Sequence, residues 1–195
     1  MPQRYFNWKL AIVLVIGFVI LGSIAFGLRQ WQKANRAEQG LVLGNKAYDE
    51  QRWEEAASDL GRYLRVERDD VPTLLKYADA QLKIRPSKRS NVQQAIGTYR
   101  AVLRADKNNY EAAIQLAEVY LTMGMAGEVE LIANRQLKIN DDPKLRRMLA
   151  LALARQRKFD EAAAQLKAVI QEHPDQILAY DTLGQFTEQR PDVLV

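Results

Sequence analysis

The chain has 195 residues, 48% hydrophobic and 27% charged, which allows a packed core and argues against general disorder. It contains no cysteine, which removes disulfide scaffolds, thiolate metal sites and cysteine nucleophiles. The net charge of +4 is modest and spread along the chain, so no nucleic-acid partner is expected.

A short tail, residues 1–9, opens the chain. From Leu10 to Leu28 there are nineteen residues without a charge, mostly Ile, Val, Leu and Phe. A helix of that length spans about 28 Å, close to the hydrocarbon thickness of a bilayer. Tyr5, Phe6 and Trp8 precede the run and Trp31 follows it, where amphipathic rings settle at a membrane interface. Residues 10–28 are therefore expected to be a single-pass transmembrane signal-anchor. The alternative is a cleaved signal peptide, with an apolar core from Leu10 to Leu21 and Ser23-Ile24-Ala25 as the cleavage site. The apolar run continues past that site through Phe26 and Leu28, which favours the anchor. Arg4 and Lys9 on one side nearly balance Arg29, Lys33 and Arg36 on the other. The very short tail then places the N-terminus in the cytoplasm and exports the rest. Ser23 and Gly27 form one small-xxx-small pair, which leaves homo-oligomerisation open.

Residues 29–36 are polar, free of Pro and Gly, and expected to be a helical connector. Beyond them one pattern recurs. A Leu followed by a small residue stands at Leu43-Gly44, Leu116-Ala117, Leu149-Ala150 and Leu183-Gly184, with Tyr77-Ala78 as a near-match. The steps are 34, 39, 33 and 34 residues. A second small residue follows at Ala56, Ala95 and Ala162, with Val129 holding that place once. Two markers advancing together at about 34 residues are the signature of helix–turn–helix repeats. Small residues stand where two helix axes must approach closely.

The first repeat is expected at 37–70, with Leu43, Ala47, Trp53, Ala56, Leu60 and Leu64 facing its neighbours. Asp69-Asp70 would end it and cap the next helix. The second, 71–109, is five residues longer, with the excess in the turn from Ile84 to Ser90. Ser90 and Gln93 have capping-box spacing there. Lys83, Arg85, Lys88 and Arg89 put four positive charges in this turn, as a solvated loop or as a contact for lipid headgroups or an acidic partner. The third repeat, 110–142, has a regular first helix through Leu116, Tyr120 and Leu121. Its turn is loose at Gly124 and Gly127, and Val129 and Ala133 mark its second helix. Asp142-Pro143 reads as an N-cap with proline in the first turn. It opens a fourth repeat, 143–176, through Leu149, Leu153, Phe159, Ala162, Leu166 and Ile170. Residues 177–195 form a partial fifth repeat or a capping helix, or the start of a longer array.

Nothing in the chain has catalytic form, and no cofactor or metal ligand set is found. The single histidine, His173, precedes Pro174 in an inter-repeat turn, without a second histidine or an ordered carboxylate pair. Glu54-Glu55, Asp69-Asp70 and Asp141-Asp142 are adjacent pairs that point apart on a helix or cap its start. There is no glycine-rich phosphate loop and no serine nucleophile elbow.

Tyr180, Leu183 and Gly184, the helix starts Trp53-Glu54-Glu55-Ala56 and Phe159-Asp160-Glu161-Ala162, and the closing Pro174 carry a resemblance. Across roughly residues 37–184 the chain resembles the tetratricopeptide repeat family. That resemblance implies an all-α helix–turn–helix solenoid, a right-handed superhelix of about four repeats plus a partial fifth, behind the transmembrane helix. In the family the first helix of each repeat lines a concave groove holding an extended peptide or a partner's helix. Carried over by position, the groove residues are Asn45, Tyr48 and Asp49; Leu75, Lys76 and Asp79; Ile114, Glu118 and Leu121; and Arg147 and Leu151. The chaperone-binding members hold a C-terminal carboxylate with Lys, Asn, Asn, Lys and Arg. Here those positions carry Leu41, Asn45, Lys76, Glu111 and Gln115, so the chain is not a carboxylate-clamp chaperone binder.

The combination resembles single-pass bacterial proteins of this family. It implies a non-enzymatic, membrane-anchored adaptor or scaffold of the inner membrane, with extracytoplasmic repeats that assemble or stabilise a complex. The alternative is an N-terminal regulatory or targeting module of a longer repeat-containing chain.

Overall fold

The computed structural model describes residues 8–189, apart from the side chains at 9–15, 19, 187 and 189. The expectations for Arg4, Tyr5 and Phe6, for the side chains of Lys9 and Leu10, and for Pro191 to Val195 lie outside the described residues. The described chain is all α-helical, without a strand. The helices are α1 (Trp8–Asp49), α2 (Trp53–Tyr63), α3 (Val71–Lys83), α4 (Arg89–Ala105), α5 (Tyr110–Thr122), α6 (Ala126–Gln136), α7 (Pro143–Arg155), α8 (Phe159–Glu172) and α9 (Ile177–Gln189). The chain divides between Arg68 and Asp69 into two compact units.

In the first unit, α1 is one unbroken helix of 42 residues, so residues 29–36 are helical. Its last part packs along α2. Ala37, Gly40, Gly44 and Ala47 are buried, one helical stripe at spacings of three and four. They meet Ala56, Ala57 and Leu60, all buried, on α2. The approach is close enough to require glycine. A Cβ at Gly44 would stand 2.6 Å from Leu60 Cδ2 and 2.8 Å from the Leu60 backbone nitrogen, and one at Gly40 would stand 2.9 Å from the Asp59 carbonyl oxygen. Leu43, expected to face a neighbouring helix, is instead 51% exposed. It sits one residue off the stripe, so the small residue takes the contact and the leucine turns away.

The transmembrane expectation is corrected. Among the described residues no helix is long and apolar enough to cross a membrane. The described side chains of the apolar run extend from Ile16 to Leu28, and Gly17, Gly22, Ser23 and Gly27 interrupt them. From Arg29 onward α1 is charged, with Lys33, Arg36 and Glu38. The membrane localisation drawn from residues 10–28 falls with the anchor. Ile16, Phe18, Ile20, Leu21, Ile24, Phe26, Leu28 and Trp31 are exposed.

In the second unit each helix from α3 to α9 packs on the next, and α5 also packs on α7 and α7 on α9. The core runs through Tyr99, Leu116, Tyr120, Leu145, Met148, Leu166 and Val169, each at most 2% exposed. Helices α5 and α7 are held on both flanks, so both residues of the recurring marker are buried at Leu116-Ala117 and at Leu149-Ala150. The second helix of the loosest segment, α6, forms around Val129 and Ala133, both fully buried.

Three of the turns inside helix pairs share one backbone solution. Gln51, Gly124 and Arg157, each two residues before the next helix, have φ of 59°, 75° and 64°. The following N–H reaches back five residues: Arg52 to the Ala47 carbonyl at 2.8 Å, Met125 to Tyr120 at 2.9 Å and Lys158 to Leu153 at 3.0 Å. A left-handed residue reverses the chain in these turns. The α3–α4 connection, residues 84–88, is longer and contains a cis Arg85–Pro86 bond.

Capping follows the sequence at Asp142, adds a cap at Asn109 that the sequence reading did not include, and departs from the expectation in two places. Asp142 accepts from the Leu145 N–H at 2.8 Å ahead of Pro143, and Asn109 accepts from the Ala112 N–H at 3.0 Å. Asp70 stands at the N-cap of α3, but its carboxylate accepts from the Thr73 hydroxyl at 2.7 Å and from no backbone N–H of the cap. The Ser90–Gln93 box does not form. Helix α4 begins at Arg89, which puts Ser90 inside the first turn, where its hydroxyl donates to Asn91 Oδ1.

Candidate functional site

The groove candidates fall on four helices, and the structure brings together those on α5 and α7, which pack on each other. Glu118 is half-buried and paired at 2.5 Å with Lys144 of α7. The Leu121 carbonyl accepts a hydrogen bond from the Arg155 guanidinium at the other end of α7. Arg147 and Leu151 are half-buried on α7, and Leu121 and Leu151 pack against the core. Ile114 departs from the expectation. It is 5% exposed and belongs to the core, because α5 is enclosed on both flanks.

On α3, Leu75, Lys76 and Asp79 are half-buried, and Asp79 pairs with Lys83 at 2.7 Å. On α1, in the first unit, Asn45 and Tyr48 are half-buried and Asp49 is exposed. Tyr48 stacks edge-on against Trp53, 5.3 Å between centroids and 79° between planes, so its ring also closes the α1–α2 turn.

The basic turn is partly consumed by its own structure. Lys83 is paired with Asp79, and the Arg85 guanidinium donates to the Leu82 and Ile84 carbonyls at 2.7 and 2.9 Å. Lys88 precedes α4 and Arg89 opens it, both exposed. His173 is the half-buried C-cap of α8. Among the described residues no group of three or more His, Cys, Asp or Glu side chains could hold a metal ion.

Two polar links tie the elements around this region. Glu130 of α6 accepts from the Gln156 amide at 2.7 Å and from Lys158 Nζ at 3.2 Å. The Gln156 bond, with Lys158 beside it, holds the Glu130 carboxyl below its ordinary range against the opposing effect of burial. Arg146 bonds Asp141 with two nitrogens, which holds the Asp141 carboxyl low in the same way.

One feature was not legible as a site in the sequence. In the first unit, Arg29, Lys33, Arg36, Arg62 and Arg65 line an open cleft of about 510 Å³ over Ala37 and Val66. Among the described residues only Arg62 of these five has a carboxylate partner, Asp59 at 2.9 Å. The signal was the spacing of Arg29, Lys33 and Arg36 on one helical face, which in sequence reads as the charged flank of an apolar run.

Two family models described as tetratricopeptide repeat match the chain, over residues 88–152 and 134–189. No curated protein matches it. Among solved structures, a MamA RS-1 double mutant superposes with a TM-score of 0.71 at 17% identity, covering 81% of this chain and 86% of that one. A MamA fragment from Desulfovibrio magneticus RS-1 gives 0.70 at 17% identity, covering 81% and 87%. A tetratricopeptide repeat protein from Parabacteroides merdae ATCC 43184 gives 0.66 at 16% identity, covering 77% and 57%. At these identities the likeness is one of fold.

Proposed function

The chain carries tetratricopeptide repeats, and on that premise we propose that it is a non-enzymatic adaptor, binding a partner protein and serving as a scaffold in the assembly of a complex. The partner enters as an extended segment or a helix along the face shared by α5 and α7. One observation carries this reading: half-exposed apolar side chains, Leu121 and Leu151, stand on packed neighbouring helices beside charges of both signs, Glu118, Lys144 and Arg147. An apolar strip with a charged border suits a peptide that buries a few side chains and registers itself by ion pairs. Leu75, Lys76 and Asp79 of α3 are proposed to extend this surface, and Asn45, Tyr48 and Asp49 are proposed as contact residues of the first unit by itself.

The test is crosslinking of the full chain in its native cells, beside a variant carrying Glu118→Ala and Arg147→Ala. A partner captured by the unaltered chain and lost from the variant, with equal helical content, supports the adaptor. Equal capture by both removes the α5–α7 face from the function.

A further inference from the structure

Helix α5 has a second side. Leu116 and Tyr120, four residues apart, point away from the side that holds Glu118 and Leu121. With α4 and α6 they line an open cleft of about 260 Å³. Three arginines border it, Arg100 and Arg104 from α4 and Arg135 from α6. All three are exposed, and none forms an ion pair among the described residues. Glu128 is the one carboxylate in the lining, so the rim carries a clear excess of positive charge.

The walls are aliphatic. Leu103 and Ile132 are half-buried, and Leu131 is 59% exposed at the mouth. A leucine left open beside unpaired guanidinium groups has the composition of an anchor pocket with a charged rim. Tyr120 forms the floor. It is 1% exposed, and Arg100 lies over its ring, 5.5 Å from the centroid, which holds that guanidinium at the cleft.

We propose that this cleft binds an acidic peptide segment, taking an aliphatic side chain between Leu103, Leu131 and Ile132 while the flanking carboxylates meet Arg100, Arg104 and Arg135. Charge complementarity and the arginine fork, which matches a carboxylate with two N–H donors, select the partner's sign and chemistry. A peptide is favoured over a nucleic acid because the walls are aliphatic. The only ring in the lining, Tyr120, is buried under Arg100 and offers no open face on which a base could stack. The site lies opposite the α5–α7 face, so the repeats would hold two segments independently.

The experiment uses the full chain and fluorescence anisotropy. The probes are a short labelled peptide of alternating Asp and Leu, the same peptide with Ser in place of Leu, and a single-stranded oligonucleotide of matched charge. The Asp–Leu peptide is expected to bind saturably, more weakly as salt rises, and more tightly than the other two. The combined variant Arg100→Gln, Arg104→Gln, Arg135→Gln is expected to weaken it at least about tenfold with helical content unchanged. Leu131→Glu, a change at an exposed position, is expected to weaken it as well. The Glu118→Ala, Arg147→Ala variant is expected to bind like the unaltered chain. The proposal is overturned if the unaltered chain does not bind the Asp–Leu peptide, or if the arginine variant binds it equally. Equal binding of the Asp–Ser peptide would reduce the site to bare charge, and tighter binding of the oligonucleotide would make it a nucleic-acid surface. Either outcome also sinks the proposal.

Discussion

Gly44 and Gly97 are both helical glycines, yet the packing around them makes opposite demands. A methyl group at Gly44 meets the Leu60 backbone and side chain within 2.8 Å, and the backbone cannot turn aside. Gly44→Ala is expected to cost about 1–3 kcal/mol in chemical unfolding, because the α1–α2 contact must open to admit it. At Gly97 a Cβ meets nothing within 4 Å, so Gly97→Ala is expected to stabilise by roughly 0.5–1 kcal/mol through helix propensity alone. Tyr120 gives a second test at this scale. Its buried hydroxyl makes no hydrogen bond of good geometry and has only the Arg100 guanidinium beside it, so Tyr120→Phe is expected to leave the melting temperature nearly unchanged. Loss of a hydroxyl that was hydrogen-bonded would lower stability by about 1 kcal/mol instead.

Among the elements, polar groups hold the start of α7 and the link from α6 to the α7–α8 turn. Asp142 satisfies the Leu145 N–H, so Asp142→Ala is expected to destabilise by about 1 kcal/mol. Ser90 caps nothing, and Ser90→Ala is expected to be silent in the same unfolding measurement. Glu130 supplies a pH dependence. The Gln156 amide and Lys158 hold its carboxyl below the ordinary value, so the folded state favours the charged form. Its contribution is present above the unfolded pKa and is lost as pH falls through the lowered folded one. The stability gap between the unaltered chain and Glu130→Gln is therefore expected to narrow from about pH 7 to about pH 3, read from paired thermal melts. A constant gap would mean that the link does not act through its charge.

At the scale of the whole chain, the division between Arg68 and Asp69 makes a prediction of its own. Glu67, Arg68 and Asp69 are exposed between α2 and α3, so brief trypsin treatment is expected to cut after Arg68 early, while the exposed arginines within α4 survive longer. Mass spectrometry of the first fragments checks it, and first cuts inside α4 or α8 would contradict the division.

The sequence by itself determined that the chain is helical, that its helices come in pairs repeating at about 34 residues, and that small residues mark their closest approaches. These are local constraints. A period of 3.6 residues, a proline behind an N-capping aspartate and a recurring small residue can each be read from a few neighbouring positions, as at Asp142-Pro143 and Ala117. Tertiary structure alone decided which side of each helix is closed. Leu43, expected at a helix contact, is exposed and Ile114, expected in the groove, is buried, because the α1 stripe runs through the glycines and α5 is flanked by helices on both sides. It also decided which charges are already paired. Glu118 is matched by Lys144, 26 positions along the chain, whereas Arg100, Arg104 and Arg135 gather around one cleft from two helices. Such meetings depend on the distance between helices rather than on the residues next to them in sequence, which is why the repeat was legible and its surfaces were not.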